Sequence, residues 1–237
     1  MTTKKRAGGT NPAAMDRIAF MDWASKAGLD VPVERLDALE AFETALYKAN
    51  EVMNLTRVPQ EESWLRHFID SLLIEGLLPQ EAKVLDIGTG PGFPAWPLAC
   101  VRPDLQVTAL DSSGKMLGFL LTQPLPNLTV VNARVEEWGV REDFDVVTGR
   151  ALAPLALQLE LSAAACKVGG HVIPMRVRGE LFSEIDVSPL GLKLKKTETR
   201  RLGETDIFRA FPIFAKVKKT EARYPRRWAE MKKHPLT

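Results

Sequence analysis

Cysteine is scarce in this chain of 237 residues: Cys100 and Cys166 stand alone, with no CxxC spacing. That excludes a disulfide framework or a zinc ribbon and leaves two structural thiols, expected in apolar, helical stretches. The three histidines, His67, His171 and His234, are too scattered in sequence to suggest a metal centre. No apolar run approaches the roughly 20 residues that span a bilayer. The polar start, Met1 to Asn11, is not followed by an apolar segment of signal-peptide type. A cytoplasmic protein with no membrane partner, and a monomer, is expected.

Charge of either sign is nearly balanced at +2, but it is unevenly spread. Gly191 to Thr237 carry 14 Lys and Arg against 5 Asp and Glu, whereas residues 1–190 carry 18 against 25. A basic end on an acidic body suits a polyanion met from one side, with a solvated tail as the plainer alternative. The length allows a full core in one domain with a small addition, or in two modest ones, and a hydrophobic content of 45% is ordinary for a globular chain.

Helical periodicity opens the chain. Ala14 to Ala27 reads as a first helix, ended by Gly28. Val33 to Ala49 reads as a second, with Leu36, Leu39, Phe42 and Leu46 on one stripe. A third is expected from Pro59 to Gly76, apolar around most of its girth. Against that, Ser63, Arg66, His67 and Asp70 make one polar stripe, and Arg66 can pair with Asp70 at i, i+4. Polar groups in a mostly buried helix need partners, so this stripe is either a structural network or a contact with ligand.

The stretch that organises the chain follows. Lys83 to Ile87 reads as a strand that runs into Asp86-Ile87-Gly88-Thr89-Gly90-Pro91-Gly92-Phe93, with a helix from about Pro94. Glycines there allow a sharp turn and let a ligand approach the backbone N–H groups. The spacing is G-x-G-x-G, with Phe93 in place of the third glycine of a dinucleotide fingerprint. D-x-G-x-G-x-G after a strand looks like the first motif of S-adenosylmethionine-dependent methyltransferases.

Strands and helices then alternate: Gln106 to Leu110, Leu128 to Val131, Phe144 to Thr148 and Gly170 to Val177 as strands, with helices at Ser113 to Leu121 and Pro154 to Lys167. Leu192 to Thr199 and Phe208 to Val217 are the last extended runs. This implies an α/β fold, a doubly wound Rossmann-like sheet with an N-terminal helical extension. Ligands bind such sheets at the carboxyl ends of the strands, where Asp86, Asp111, Glu136 and Arg150 all fall. Asp111, with Ser112 beside it, can accept both ribose hydroxyls of an adenosine ligand, whether NAD or S-adenosylmethionine. The amides of Gly88, Gly90 and Gly92 are expected to hold the methionyl portion, and Asp86 to orient the loop or receive an amino group. Val135 and Glu136 are placed to meet adenine. Arg150 suits either a ligand carboxylate or an RNA phosphate.

Absences narrow the methyl acceptor. Pyrimidine C5 chemistry needs a cysteine beside a proline in a strand-end loop, and neither cysteine is so placed. Exocyclic amine methylation usually carries N/D/S-P-P-Y/F after the fourth strand, where Thr148 to Pro154 do not match. An acceptor such as guanine N7 remains, with a free lone pair and no proton to remove.

The residues together resemble a known family. Asn54-Leu55-Thr56, Arg66-His67-Phe68-Ile69-Asp70-Ser71 and Val84 to Leu98 are similar to the bacterial 16S ribosomal RNA guanine-N7 methyltransferases, also called glucose-inhibited division protein B. Leu110 to Lys115, Arg134 to Glu137, Gly149-Arg150-Ala151 and the basic Tyr224 to Leu236 extend the likeness in order. The resemblance implies a class I methyltransferase fold, S-adenosyl-L-methionine as cofactor, and 16S rRNA or the small ribosomal subunit as partner. The guanine at position 527 is the implied acceptor. It places cofactor contacts on Gly88, Phe93, Val135, Glu136 and Arg150, with Asp111 at the ribose. Arg150 and the polar stripe of Arg66, His67 and Asp70 are the candidate catalytic residues. Met116, Gly149 and Arg178 depart from the family pattern. The implied division is a disordered basic tail at 1–13, a helical cap at 14–80, a cofactor domain at 81–217 and a basic tail at 218–237. An NAD-dependent oxidoreductase and a non-catalytic RNA-binding factor are the alternatives.

Overall fold

The computed structural model describes residues 17–180 and 182–237. The expected tail at 1–13 lies outside them. Helix α1 (Arg17–Lys26) buries Phe20 and Ala24, and α2 (Leu36–Met53) buries the stripe Leu36, Leu39, Phe42 and Leu46. Helix α2 runs past Ala49 and stops where Asn54 takes a left-handed conformation, φ 48°. Asn50 then turns its side-chain oxygen onto the amides of Leu55 and Thr56, at 2.6 and 2.9 Å. This explains why Asn54-Leu55-Thr56 breaks the helical pattern.

The third helix is not a regular α-helix. Gln60–Glu62 form a 3-10 turn, Trp64–Ile69 a π-helix and α3 (Asp70–Leu72) a short α-turn. A widened turn rotates the i+4 neighbour away, and Arg66 pairs backwards with Glu62 at 2.6 Å instead of with Asp70. Glu43 of α2 fixes this segment, accepting from the Ser63 hydroxyl and, at 3.0 Å, from Trp64 Nε1.

Seven strands follow: β1 (Lys83–Ile87), β2 (Gln106–Asp111), β3 (Leu128–Asn132), β4 (Phe144–Arg150), β5 (Cys166–Val177), β6 (Leu192–Arg201) and β7 (Phe208–Lys216). They make one sheet in the order β3-β2-β1-β4-β5-β7-β6. The first five are parallel and β7 lies antiparallel to both β5 and β6. Between them run α4 (Ala95–Val101), α5 (Gly114–Leu120), α6 (Val135–Trp138) and α7 (Leu155–Ala163). Cys166 lies on a strand, not in a helix, because β5 begins four residues earlier than its β-branched run implies. Both thiols are buried, and burial pushes Cys100 up to about 11 and Cys166 to about 12, so neither is a ready nucleophile.

Two-residue alternation splits the strands between two cores. Val84, Val146, Phe211 and Ile213 pack with α1, α2, the π-helical segment, α4 and α5. Leu85, Val147, Val172 and Phe214 pack with α7 on the other face. The N-terminal helices therefore share the main core of the sheet.

The basic end at 218–237 is folded rather than a loose tail. Tyr224 is buried, α8 (Trp228–Lys233) buries Met231 against Leu157 and Leu161, and Arg226 grips the buried Glu160.

Candidate active site

Strand β1 ends under the glycine loop. Asp86 is fully buried, and its Oδ2 accepts the amide of Ala95, the first residue of α4, at 3.1 Å. Burial pushes its carboxyl up to about 7, against the pull of Thr89 and the Ala95 amide. Asp86 thus lies beneath the loop and holds it to α4; it does not line either of the cavities described below.

The loop glycines take the conformations they are needed for, with φ of 72° at Gly88, 59° at Gly90 and 122° at Gly92. Their amides, however, are already used. Gly88 and Thr89 donate to Leu110 O at 2.8 and 3.1 Å, Gly90 to Asp111 Oδ2 at 2.8 Å, and Gly92 to Thr89 O at 3.0 Å. In the structure these N–H groups donate within the protein, and the loop presents Cβ-free backbone to the cavities at Gly88 and Gly90. At Gly88 even a Cβ would overlap Leu152 Cδ1. Gly149 beneath it has no room for a side chain either, since a Cβ would stand 2.7 Å from Ile87 O.

Asp111 closes β2 and ties two loops together, Oδ2 accepting from Gly90 and Oδ1 from the Ser113 amide at 2.7 Å. A carboxylate has about four lone-pair sites, so two remain for a ligand. Gly88, Asp111, Ser112, Val135, Glu136 and Trp228 line a cavity of about 300 Å³.

A second cavity, of about 660 Å³, opens on the other side of Gly88 and is lined by Thr56, His67, Asp70, Phe93 and Arg150. Arg66 reaches its rim. Leu152 and Ala151 border both spaces, so the two meet over Gly88 with the Leu152 side chain between them.

Strand β4 delivers Arg150 to this second cavity. Its Nη1 donates to Arg66 O at 2.8 Å and to Asp70 Oδ2 at 3.0 Å, and its guanidinium lies 5.6 Å from the Phe93 ring centroid. The imidazole of His67 stacks on Phe93, centroids 4.2 Å apart and planes 7° from parallel. Its Nε2 is 2.8 Å from Thr56 Oγ1 and its Nδ1 is 3.4 Å from Arg150 Nη2. Because a guanidinium only donates, Nδ1 accepts and Nε2–H donates to Thr56. Burial, then the charges of Arg150 and Arg66, push His67 down to about 3. The ring is neutral with a fixed tautomer.

The structure brings Gly88, Asp111, Ser112, Val135 and Glu136 to one cavity and His67, Asp70, Phe93 and Arg150 to its neighbour. Arg66 joins through its carbonyl, while its side chain turns out to Glu62. Three contributors escaped the sequence reading. Arg209 of β7 grips Asp70, and its only signal is a cation at the start of an otherwise apolar run. Leu152 and Trp228 carry no motif at all.

The comparisons bear on this arrangement. The family described as GidB, rRNA small subunit methyltransferase G, matches residues 35–198. The Ribosomal RNA small subunit methyltransferase G of Caldanaerobacter subterraneus subsp. tengcongensis is 35% identical over 229 residues, covering 90% of this chain and 95% of that one. Its namesake from Acetivibrio thermocellus is 35% identical, covering 93% and 97%. Among solved structures, M. jannaschii TYW2 in complex with AdoMet superposes with a TM-score of 0.50 at 14% identity, covering 63% of this chain and 73% of that one, which speaks to the fold. The seven-stranded sheet with its antiparallel β7 and N-terminal helices bears out the expected class I methyltransferase architecture. With motif, fold and relatives in agreement, the chain belongs to the rRNA small subunit methyltransferase G family.

Proposed function

We propose that the protein transfers a methyl group from S-adenosylmethionine to N7 of a guanine in small-subunit ribosomal RNA, at the position equivalent to 527 of 16S rRNA. The carrying observation is the pair of cavities that meet over Gly88 at the strand carboxyl ends, one with a free-faced carboxylate and one with a neutral aromatic wall. The residues fit that cofactor: Gly88, without a side chain, borders both cavities, and Asp111 keeps lone pairs for ribose hydroxyls.

When bound, S-adenosylmethionine supplies an electrophilic methyl group on a sulfonium sulfur. Asp111, Ser112, Val135 and Glu136 would hold the nucleoside half, and Gly88, Gly90 and Phe93 shape the passage to the other, while Gly92 turns toward Trp96 and Phe42 of the core. A neutral His67 does not oppose the positive charge that moves from sulfur to the base. Thr56 Oγ1 accepts from His67 and, at 3.1 Å, from the Val58 amide, which leaves its own proton for an acceptor in the cavity. Guanine presents such an acceptor, O6, beside N7. Arg150 keeps N–H groups for a carboxylate or a phosphate while Asp70 fixes its direction. Methylation at N7 removes no proton, so orientation carries the rate.

The reading extends to a monomer in the cytoplasm, with exposed basic groups of the C-terminal half meeting RNA phosphates. Purified protein incubated with labelled S-adenosylmethionine and small-subunit RNA lacking the modification should yield one N7-methylguanine by mass mapping. Lack of transfer to that RNA and to its subunit overturns the proposal.

A further inference from the structure

The basic C-terminal arm runs back beneath the nucleoside half of the site. Its seat is built from buried groups. Arg226 Nε and Nη2 donate to the two oxygens of Glu160 at 2.8 and 2.6 Å, and its amide adds a third bond at 2.9 Å. Arg141 holds the carbonyl of Tyr224 at 2.9 Å, and Met231 is fully buried against Leu157 and Leu161. These anchors flank Trp228 on both sides and place it in the wall of the cavity that Asp111 and Glu136 line.

We infer that Trp228 is a cofactor-binding residue whose indole covers one side of the adenine of S-adenosylmethionine. The inference rests on the cofactor assigned above. Asp111 and Glu136 offer oxygens, which suit hydroxyl and amine groups but leave an aromatic base without apolar cover. Val135, Leu152 and Trp228 supply that cover from one packed cluster, and Trp228 is its largest and flattest member. The indole is only part-buried, so some of it remains to be covered by a ligand. A rigid seat and a two-torsion side chain keep the ordering cost low. The same arm carries exposed Arg227, Lys232 and Lys233, so one segment serves both the cofactor cavity and the basic surface.

Full-length wild type, Trp228→Ala and Trp228→Phe are titrated calorimetrically with S-adenosylhomocysteine. Trp228→Ala is expected to weaken binding by about tenfold and Trp228→Phe by less than about threefold, as for loss and retention of a base–aromatic contact. Tryptophan emission is followed in parallel. S-adenosylhomocysteine should perturb the wild-type spectrum, and the change should vanish in Trp228→Phe. This arm decides the matter if Trp228→Ala does not fold. Wild-type affinity in Trp228→Ala, or an undiminished emission change in Trp228→Phe, overturns the inference. Failure of the wild type itself to bind S-adenosylhomocysteine overturns the cofactor assignment, and the inference with it.

Discussion

Arg209, on the antiparallel strand β7, reaches the Asp70 carboxylate with two bonds, Nε to Oδ1 at 2.7 Å and Nη2 to Oδ2 at 3.1 Å. Arg150 takes the remaining direction on Oδ2 at 3.0 Å. One buried acid at the start of α3, directly after the π-helical segment, is therefore shared by cations from two strands, and the N-terminal helices are locked to the sheet at the mouth of the site. Removing one partner of a buried pair typically costs about 3–5 kcal/mol. Arg209→Ala should fall near the lower figure because Arg150 remains, and Arg209→Lys should lose less, keeping the charge but not the fork. Urea unfolding midpoints check this; an unchanged midpoint for Arg209→Ala would contradict the role given to the pair.

Arg150 has the same partner but faces the cavity. Its removal frees Asp70 only partly, whereas it strips the positive group beside Phe93 and His67. Arg150→Ala should lower methyl transfer by tenfold or more, about 1.4 kcal/mol in the barrier. A near-wild-type rate in a single-turnover assay would remove Arg150 from the site.

Gly88 and Gly28 make a matched test of space against strain. Both have φ 72°, but a Cβ at Gly28 meets nothing within 4 Å, whereas one at Gly88 overlaps Leu152. A left-handed non-glycine residue costs roughly 1–2 kcal/mol. Gly28→Ala should show that loss in stability and no change in S-adenosylhomocysteine affinity. Gly88→Ala should show the loss and also bind poorly. Adding Leu152→Ala to Gly88→Ala should recover part of the stability, and calorimetry with thermal melts distinguishes the three. If Gly28→Ala and Gly88→Ala behave alike, the close approach at Gly88 is without consequence.

His67 gives a pH signature. Its ordinary value of 6.5 falls to about 3 in the fold, so the unfolded chain takes up a proton first as pH drops. The stability tied to neutral His67 is fully present above about pH 6.5 and declines as pH falls from there toward 3. Asp86 acts with the opposite sign, since a carboxyl raised to about 7 loses stability as pH climbs from about 4 to 7. His67→Asn should therefore lose less stability than wild type between pH 7 and pH 5, measured by urea midpoints at each pH. An identical slope in the two proteins would mean that His67 is not held neutral.

Much of this was legible in the residues. The bounds of strand β1, Lys83 and Ile87, are readable in the sequence because a short β-rich run is punctuated at once by glycine. Asp111, Val135, Glu136 and Arg150 could be placed together because parallel strands put their carboxyl ends on one edge. The π-helical turn was not legible, since apolar spacing tells which residues are buried and not which carbonyl each amide finds. For that reason the spacing allows an Arg66–Asp70 pair, whereas the partners of Asp70 lie on β4 and β7. The hidden start of β5 and the seating of the arm have a similar cause. Ala163 to Ala165 read as helix by propensity, and a basic segment gives no sign that Tyr224 and Met231 within it are buried.

The shared carboxylate also sets an order of events during synthesis. Asp70 leaves the ribosome 80 residues before Arg150 and 139 before Arg209. Phe211 and Ile213, which complete the core under the N-terminal helices, come with the same late strand. The first helices cannot finish folding as a unit ahead of the rest, unlike domains that mature in turn from the N-terminus. Nascent chains stalled before β7 should leave the segment around Asp70 open to protease, and chains stalled after the C-terminus has emerged should protect it. Equal protection at both points would show that the early helices stand alone.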